Sequence, residues 1–253
     1  MKRIFNAAAA FLARWLDPYQ ALWLTLFIGG ALTVVLAKLS AEVYESVVEE
    51  DGISGVDKPL LNWVKQFRSP AVNAAMTVFT DIGSAYVMPA VALAAAIVLA
   101  LWSRNWRPLI LVVAAGSGSL LATVLGKQIF GRARPHLADA VPPYESSPSF
   151  PSGHTLNATV VVGVLVYLLC LQFHRTSARI AAVAVGGLFV VAMGLSRVFL
   201  GHHWFTDVLA AWLLGLAWLC LVILAHRLFH VVRQRRHGAV RKGREPGSVP
   251  DGG

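Results

Sequence analysis

Long apolar stretches separated by shorter polar ones dominate this chain. Six of them have the length, about 20 residues, that an α-helix needs to cross the hydrocarbon core of a bilayer. They are Ala21–Leu39, Ala85–Trp102, Pro108–Gly126, Thr155–Phe173, Ile180–Ser196 and Trp204–Ala225. The pattern predicts an all-α, polytopic membrane protein built as a bundle of six transmembrane helices.

Polar segments divide the chain further. An outer segment of about residues 41–84 has apolar residues at helical spacing with Lys and Arg between them, which is typical of an amphipathic helix on the membrane surface. We expect residues 1–20 to form a cytoplasmic interfacial segment and residues 21–226 the six-helix domain. Residues 227–253 are predicted to be a basic, disordered cytoplasmic tail.

Composition narrows the class of protein. The net charge of +9 would by itself suggest a nucleic-acid partner. However, 57% of the residues are hydrophobic and only 14% are charged, whereas a soluble domain carries about 25% charged residues. The two cysteines lie inside apolar runs, and no Cys or His group has zinc-ligand spacing. We therefore expect a membrane protein that binds no nucleic acid, no metal and no cofactor.

The distribution of Lys and Arg predicts the orientation. Cytoplasmic connections of membrane proteins carry an excess of basic residues. With both termini inside, which six spans allow, basic residues far outnumber acidic ones in the inner segments, and the outer segments are slightly acidic. This distribution predicts a multi-pass protein of the cell membrane with cytoplasmic termini.

Eight basic residues lie on the predicted outer side, and four of them lie where this bias does not favour them. These four occur, together with two histidines, an aspartate, a serine and a glycine, near the ends of spans three and five and the starts of spans four and six. Alternating topology brings these four helix ends to one membrane surface. The residues are Lys127, Arg132, Arg134, Ser152, Gly153, His154, Arg197, His203 and Asp207.

This set of residues has the chemistry of a phosphate site. The planar fork of Arg matches phosphate oxygens, and Lys adds a point charge. Free backbone N–H groups at a helix start, where Ser152 and Gly153 lie, can also hold phosphate. Each residue alone fits a structural role, such as a long cation anchoring a helix end at the interface. Their coincidence on one surface favours a binding site.

His203 and Asp207 are the predicted centre of the chemistry. Their i, i+4 spacing places both on one face of a helix. Asp207 can accept the Nδ1–H of His203 and leave the Nε2 lone pair free, which makes the imidazole a nucleophile for phosphoryl transfer. His154 can supply the proton that the leaving oxygen needs.

Three motifs, in order, resemble the type 2 phosphatidic acid phosphatase (PAP2) superfamily. They are Lys127 with Arg134-Pro135, then Pro151-Ser152-Gly153-His154, and then Ser196-Arg197 with His203 and Asp207. Each motif alone is weak, but all three at the expected spans are specific. The resemblance covers about residues 21–225.

The resemblance implies a membrane enzyme that removes phosphate from lipids without a metal ion. The phosphate-binding residues that it implies are Lys127, Arg134, Ser152, Gly153 and Arg197. His203 would attack phosphorus and form a phosphohistidine on the extracytoplasmic side. His154 would protonate the leaving oxygen, and Asp207 would orient His203.

Several alternatives stay open at this stage. The substrate could be undecaprenyl diphosphate, which we favour for a bacterial source, or phosphatidic acid or phosphatidylglycerol phosphate. The phosphohistidine could pass to an acceptor other than water, which would make the chain a lipid phosphotransferase. A non-enzymatic lipid or anion transporter is a lesser alternative. The sequence does not determine the oligomeric state or the roles of Arg132, His202 and the basic tail.

Overall fold

The computed structural model describes residues 18–242, and within this range all regular structure is helical. Short 3-10 turns lie at Gly52–Val56 and Leu137–Asp139. The eight α-helices are α1 Pro18–Glu49, α2 Asp57–Lys65, α3 Pro70–Asp81, α4 Val87–Ser103, α5 Arg107–Phe130, α6 Gly153–Gln172, α7 Thr176–Phe199 and α8 Phe205–Lys242.

The six predicted spans correspond to six apolar helices, which confirms the predicted fold class. In the described range, α1, α5, α6, α7 and α8 are each long and apolar enough to cross a membrane. The remaining one, α4, is apolar but has only 17 residues. Large apolar side chains such as Phe27, Leu101 and Leu188 are exposed on the outer surface of the bundle, as contact with lipid requires.

Helix α6 is the centre of the bundle. It packs against α4, α5, α7 and α8, and its side chains Leu156, Val160 and Val164 are fully buried. Helix α1 lies along α8 on the periphery. Because α6 contacts every other helix of the core, its first turn is held in a defined position.

Two boundaries differ from the predicted ones. Helix α1 continues to Glu49, and the rest of the outer segment forms two short helices, α2 and α3, rather than one. Helix α8 continues to Lys242, whereas the sequence predicts a disordered tail from residue 227. Basic residues are good helix formers, so an apolar span can extend into a basic segment. Predictions for residues 1–17 and 243–253 lie outside the described range.

The outer helices are tied to the loops at one end of the bundle. Lys65 forms an ion pair with Asp139. Arg68 donates through Nε to the carbonyl of Phe199 at 2.8 Å and through Nη1 to the carbonyl of Asp139 at 2.7 Å. These basic residues therefore contact the end of α7 and the α5–α6 loop rather than only the membrane surface.

The packing of α7 against α8 offers a test of this fold. An ideal Cβ on Gly194 would lie 2.5 Å from Cζ2 of Trp212 and 2.6 Å from Cγ1 of Val208. We expect Gly194→Ala to lower the melting temperature in detergent, because overpacking costs about 1–3 kcal/mol.

Gly187 is the matched control, because it lies on the same helix and its added Cβ would meet nothing within 4 Å. We expect Gly187→Ala to be neutral or slightly stabilising, since Ala exceeds Gly in helix propensity by about 1 kcal/mol. Equal melting temperatures for the two variants would contradict this packing.

Candidate active site

The ends of four helices meet at one end of the bundle, which we call the site end. Lys127 is in the last turn of α5, Gly153 begins α6, Arg197 is in the last turn of α7, and Asp207 is in the first turn of α8. The α5–α6 loop adds Arg134. The structure therefore brings together the residues that the sequence predicts to meet.

A cavity of about 580 Å³ opens at this end and continues down between α4, α5 and α6. Its upper part is lined by Lys127, His154, His203 and the loop residues Glu145 and Ser147. Its lower part is lined mainly by apolar or small side chains of α4 and α5. A polar, charged mouth thus leads directly into an apolar groove.

Of the three predicted phosphate-binding cations, Lys127 lines the mouth, and Arg134 and Arg197 contact its lining residues Ser147 and Glu145. Lys127 donates to Oγ of Ser147 at 2.6 Å. Arg134 donates to Oγ of Ser147 at 3.1 Å and, through Nε, to its carbonyl at 2.6 Å. Arg197 is only 2% exposed, donates through Nη1 to Oγ1 of Thr80 at 3.2 Å, and has no partner for its Nε. Arg134 is thus held through all three of its guanidinium nitrogens, whereas Arg197 keeps an unpaired N–H.

Glu145 bridges the two arginines. Its Oε2 accepts from Nη2 of Arg134 at 2.8 Å, and its Oε1 accepts from Nη2 of Arg197. Burial would raise the pKa of Glu145, but attraction by Arg197 and Arg134 outweighs it and lowers the pKa to about 2. The carboxylate is therefore ionised at neutral pH and occupies the guanidinium N–H groups that a phosphate would use.

His203 lies in the turn before α8 rather than on a helix, but its side chain is close to that of Asp207. Nδ1 of His203 lies 3.5 Å from Oδ2 of Asp207, and both side chains are fully buried. Nη1 of Arg134 lies 3.2 Å from Nε2 of His203. Because Arg can only donate, Nε2 must be the acceptor and Nδ1 must carry the proton. This tautomer leaves the lone pair directed toward the cations.

The turn between α7 and α8 sets the position of His203. Gly201 adopts φ of +71°, and an added Cβ there would collide with the carbonyl of Asp139. The backbone N–H groups of His202 and His203 donate to the carbonyl of Arg197 at 3.0 and 3.3 Å. This turn places the predicted nucleophile beside the arginine that ends α7.

The imidazole of His203 is neutral in this environment. Burial lowers the pKa of His203 well below its usual range, and the positive charges of Arg134 and Arg197 lower it further. A neutral imidazole is the form that can act as a nucleophile.

His154 lies in the first turn of α6 and lines the cavity together with His203. Gly83 packs against it, since an ideal Cβ there would lie 3.3 Å from Cδ2 of His154. The ring is half-buried and faces the same space as the predicted nucleophile, which is the placement that a proton donor needs.

Ser152 and Gly153 differ in their exposure to the cavity. Gly153 lines it, and an ideal Cβ on Gly153 would lie 3.0 Å from Cγ2 of Thr123. Ser152 is fully buried, with its hydroxyl 2.9 Å from Oγ1 of Thr155 and its N–H donating to the carbonyl of Asp207 at 3.2 Å. Its role in holding phosphate stays a prediction.

The two residues whose roles stayed open have structural partners. Nε2 of His202 contacts the carbonyl of Val141 at 2.7 Å. Arg132 contacts the carboxylates of Asp57 and Asp207. Neither side chain lines the cavity as the structure describes it.

Several residues of the site end escaped sequence reasoning, among them Asp57, Glu145 and Ser149. The signal for Glu145 was its charge in the loop that also carries Arg132 and Arg134. Ser149, whose hydroxyl donates to Oδ2 of Asp207, and Asp57 carry no distinctive spacing.

Comparison with known proteins agrees with this geometry. The profile of the PAP2 superfamily matches residues 107–230. Phosphatidylglycerophosphatase B of Bacillus subtilis (strain 168) is 33% identical over 186 residues, which cover 71% of this chain and 88% of that protein.

Two solved structures are similar. The crystal structure of the transmembrane PAP2-type phosphatidylglycerolphosphate phosphatase from Bacillus subtilis has a TM-score of 0.66 and 27% identity, covering 77% of this chain and 93% of that chain. The crystal structure of Aquifex aeolicus LpxE has a TM-score of 0.51 and 23% identity, covering 68% and 95% respectively, and supports the fold alone.

The fold and these relatives define a helical membrane phosphatase. The chain belongs to the PAP2 superfamily.

Glu145 provides a test of the anion site. We expect Glu145→Gln to lower the inhibition constant for vanadate about tenfold, which corresponds to about 1.4 kcal/mol, because the amide competes less well for the guanidinium groups. Vanadate inhibition of phosphate release would be measured with the purified protein in detergent.

Glu49→Gln removes an exposed charge from the end of α1 and is the matched control, for which we expect no change. Weaker vanadate inhibition in Glu145→Gln would show that Glu145 assists anion binding. That result would contradict competition between Glu145 and the anion for the guanidinium groups.

Proposed function

We propose that the protein hydrolyses the phosphate of a membrane lipid through a phosphohistidine at His203, on the extracytoplasmic face and without a metal ion. One observation carries the proposal: the cavity joins a cationic mouth containing a neutral histidine to an apolar groove within the bundle. A lipid phosphate has the same two-part chemistry.

The groove supports a lipid rather than a soluble phosphate ester. Ala92 and Leu93 of α4 and Val112 and Val113 of α5 line it below the mouth. Gly116 also lines it, and an added Cβ there would meet nothing within 4 Å. A hydrocarbon chain can therefore lie between α4 and α5 while the headgroup stays at the site end.

The cations prepare phosphorus for attack. Lys127, Arg134 and Arg197 bind the phosphate oxygens after Glu145 is displaced, and they stabilise the charge that develops in the transition state. Nε2 of His203 attacks phosphorus and forms the N–P bond as the P–O bond to the lipid breaks.

Proton transfer completes the cycle. His154 donates its proton to the leaving lipid oxygen, and the neutral His154 then takes a proton from water. The resulting hydroxide attacks the phosphohistidine, which releases inorganic phosphate and restores His203. Asp207 stabilises the proton on Nδ1 of His203 throughout.

The named relatives favour a glycerophospholipid. Phosphatidylglycerophosphatase B is 33% identical, and this supports phosphatidylglycerol phosphate as the substrate. It ranks ahead of phosphatidic acid and of undecaprenyl diphosphate, which the sequence alone favoured. The excess of basic residues at the opposite end of the bundle supports an extracytoplasmic site.

The test is phosphate release from these three lipids in detergent with a chelator present. We expect release from at least one of them by the wild-type protein, and a loss of about a thousandfold or more in His203→Gln, because the variant lacks the nucleophile. Lipid labelled in its terminal phosphate should also label the wild-type protein in an acid-labile, alkali-stable form.

His174→Gln, an exposed histidine between α6 and α7, is the control and should retain full activity. Equal release by wild type and His203→Gln would exclude the nucleophile. Loss of activity with chelator would exclude metal independence, and faster turnover on adding glycerol or a lipid alcohol would favour a transferase.

The groove gives a second test. We expect Gly116→Leu to raise KM for a long-chain substrate about tenfold, equivalent to about 1.4 kcal/mol, since the new side chain fills space that the hydrocarbon chain occupies. KM for a short-chain analogue should change much less.

Gly187→Leu is the matched control, because Gly187 is exposed on the lipid-facing side of α7. If Gly116→Leu raised KM equally for long-chain and short-chain substrates, the hydrocarbon chain would lie outside the groove.

A further inference from the structure

We propose that Asp57, in the outer helix α2, is a positioning residue for catalysis that acts through Arg132 on Asp207 and His203. The inference rests on the proposed function, since it concerns the same reaction. Asp57 lies outside the region that matches the PAP2 superfamily, residues 107–230. Part of the machinery is thus supplied by the outer segment.

Arg132 links the two carboxylates directly. Its Nη1 donates to Oδ1 of Asp207 at 2.5 Å, and its Nη2 donates to Oδ2 of Asp57 at 2.7 Å. The ring of Trp204 lies 5.7 Å from the guanidinium carbon. Arg132 is therefore engaged at both ends and covered on one face, so it is unavailable to the substrate.

Asp57 also contacts the first turn of α8. Its Oδ1 accepts from the backbone N–H of Thr206 at 2.9 Å, and its Oδ2 accepts from the hydroxyl of Thr206 at 2.6 Å. It thus satisfies one of the free N–H groups at the helix start, as a capping carboxylate does. Because Asp207 is the next residue, this contact fixes the backbone that carries it.

The network controls the position of Asp207. Its Oδ2 accepts from Ser149 and from the backbone N–H of Trp204 at 2.9 Å, and the same oxygen faces His203. A fully buried carboxylate without a cation is costly, and Arg132 is the cation in contact with it. Arg132 therefore offsets part of the cost of burying Asp207, and by holding Oδ1 it leaves Oδ2 facing Nδ1 of His203.

Asp57 determines where Arg132 can lie. With the Asp57 charge removed, the guanidinium loses one of its two anchors, and the first turn of α8 loses a charged cap. The predicted consequence is that the imidazole of His203 is held less firmly in position, while the phosphate-binding cations at the mouth are unaffected. A change in kcat rather than in substrate affinity is the expected signature.

The experiment compares Asp57→Asn with the wild-type protein in lipid-phosphate hydrolysis. We expect kcat to fall about ten- to a hundredfold, the scale for groups one step removed from the reacting atoms, with KM and vanadate inhibition unchanged. Asp51→Asn, which removes an exposed charge from the same outer segment, is the matched control and should match the wild type.

A double-mutant cycle tests the route through Arg132. If Asp57 acts through it, Asp57→Asn should change kcat less than about twofold in an Arg132→Gln background, since the two effects are then not additive. Arg132→Lys, which cannot span both carboxylates as a fork, should show an intermediate loss, and it carries the test if Asp57→Asn fails to fold.

Multiplicative losses in the cycle, or an Asp57→Asn variant with wild-type kcat, would overturn the inference while leaving the phosphatase intact. A fall in melting temperature with a matching rise in KM would also overturn it, because that pattern indicates a purely structural role. A wild-type protein that releases no phosphate from any lipid would overturn the proposed function and the inference together.

Discussion

The guanidinium of Arg197 and the carboxylate of Asp207 are both buried at one end of an apolar bundle. Neither charge is tolerable there without partners, because removal from water costs several kcal/mol for each ion. The partners come from elements distant in sequence: Glu145 for Arg197, and Arg132 for Asp207. This need for pairing holds the helix ends, the α5–α6 loop and α2 together, and the position of His203 follows from it.

The charge balance of the mouth matches its proposed ligand. Three cations, Lys127, Arg134 and Arg197, face one anion, Glu145, so the mouth keeps a net positive charge. A phosphate monoester carries about −1.5 to −2 at neutral pH. The internal carboxylate satisfies the arginines in the absence of substrate, and exchange of one anion for another avoids exposing unpaired buried cations.

The outer segment is part of the site rather than a surface attachment. Lys65 and Arg68 hold α2 and its following turn against the loops, and Asp57 then reaches the start of α8. The opposite side of the cavity is formed by α4 and α5, where the groove opens between apolar helices. One face thus supplies polar positioning contacts and the other supplies hydrocarbon contacts.

The sequence by itself determined the spans, the shared end of the bundle, and the grouping of Lys127, Arg134, His154, Arg197 and His203. It could do so because hydropathy sets where helices cross, and alternation sets which ends coincide. The i, i+4 spacing likewise predicted that His203 and Asp207 lie close together, although the structure places His203 in the turn before α8 and not on the helix. Only the tertiary structure decided that Glu145 bridges two arginines, that Ser152 faces inward, and that Asp57 reaches Asp207 through Arg132. These contacts join segments far apart in sequence, and their geometry depends on how loops pack rather than on any local period.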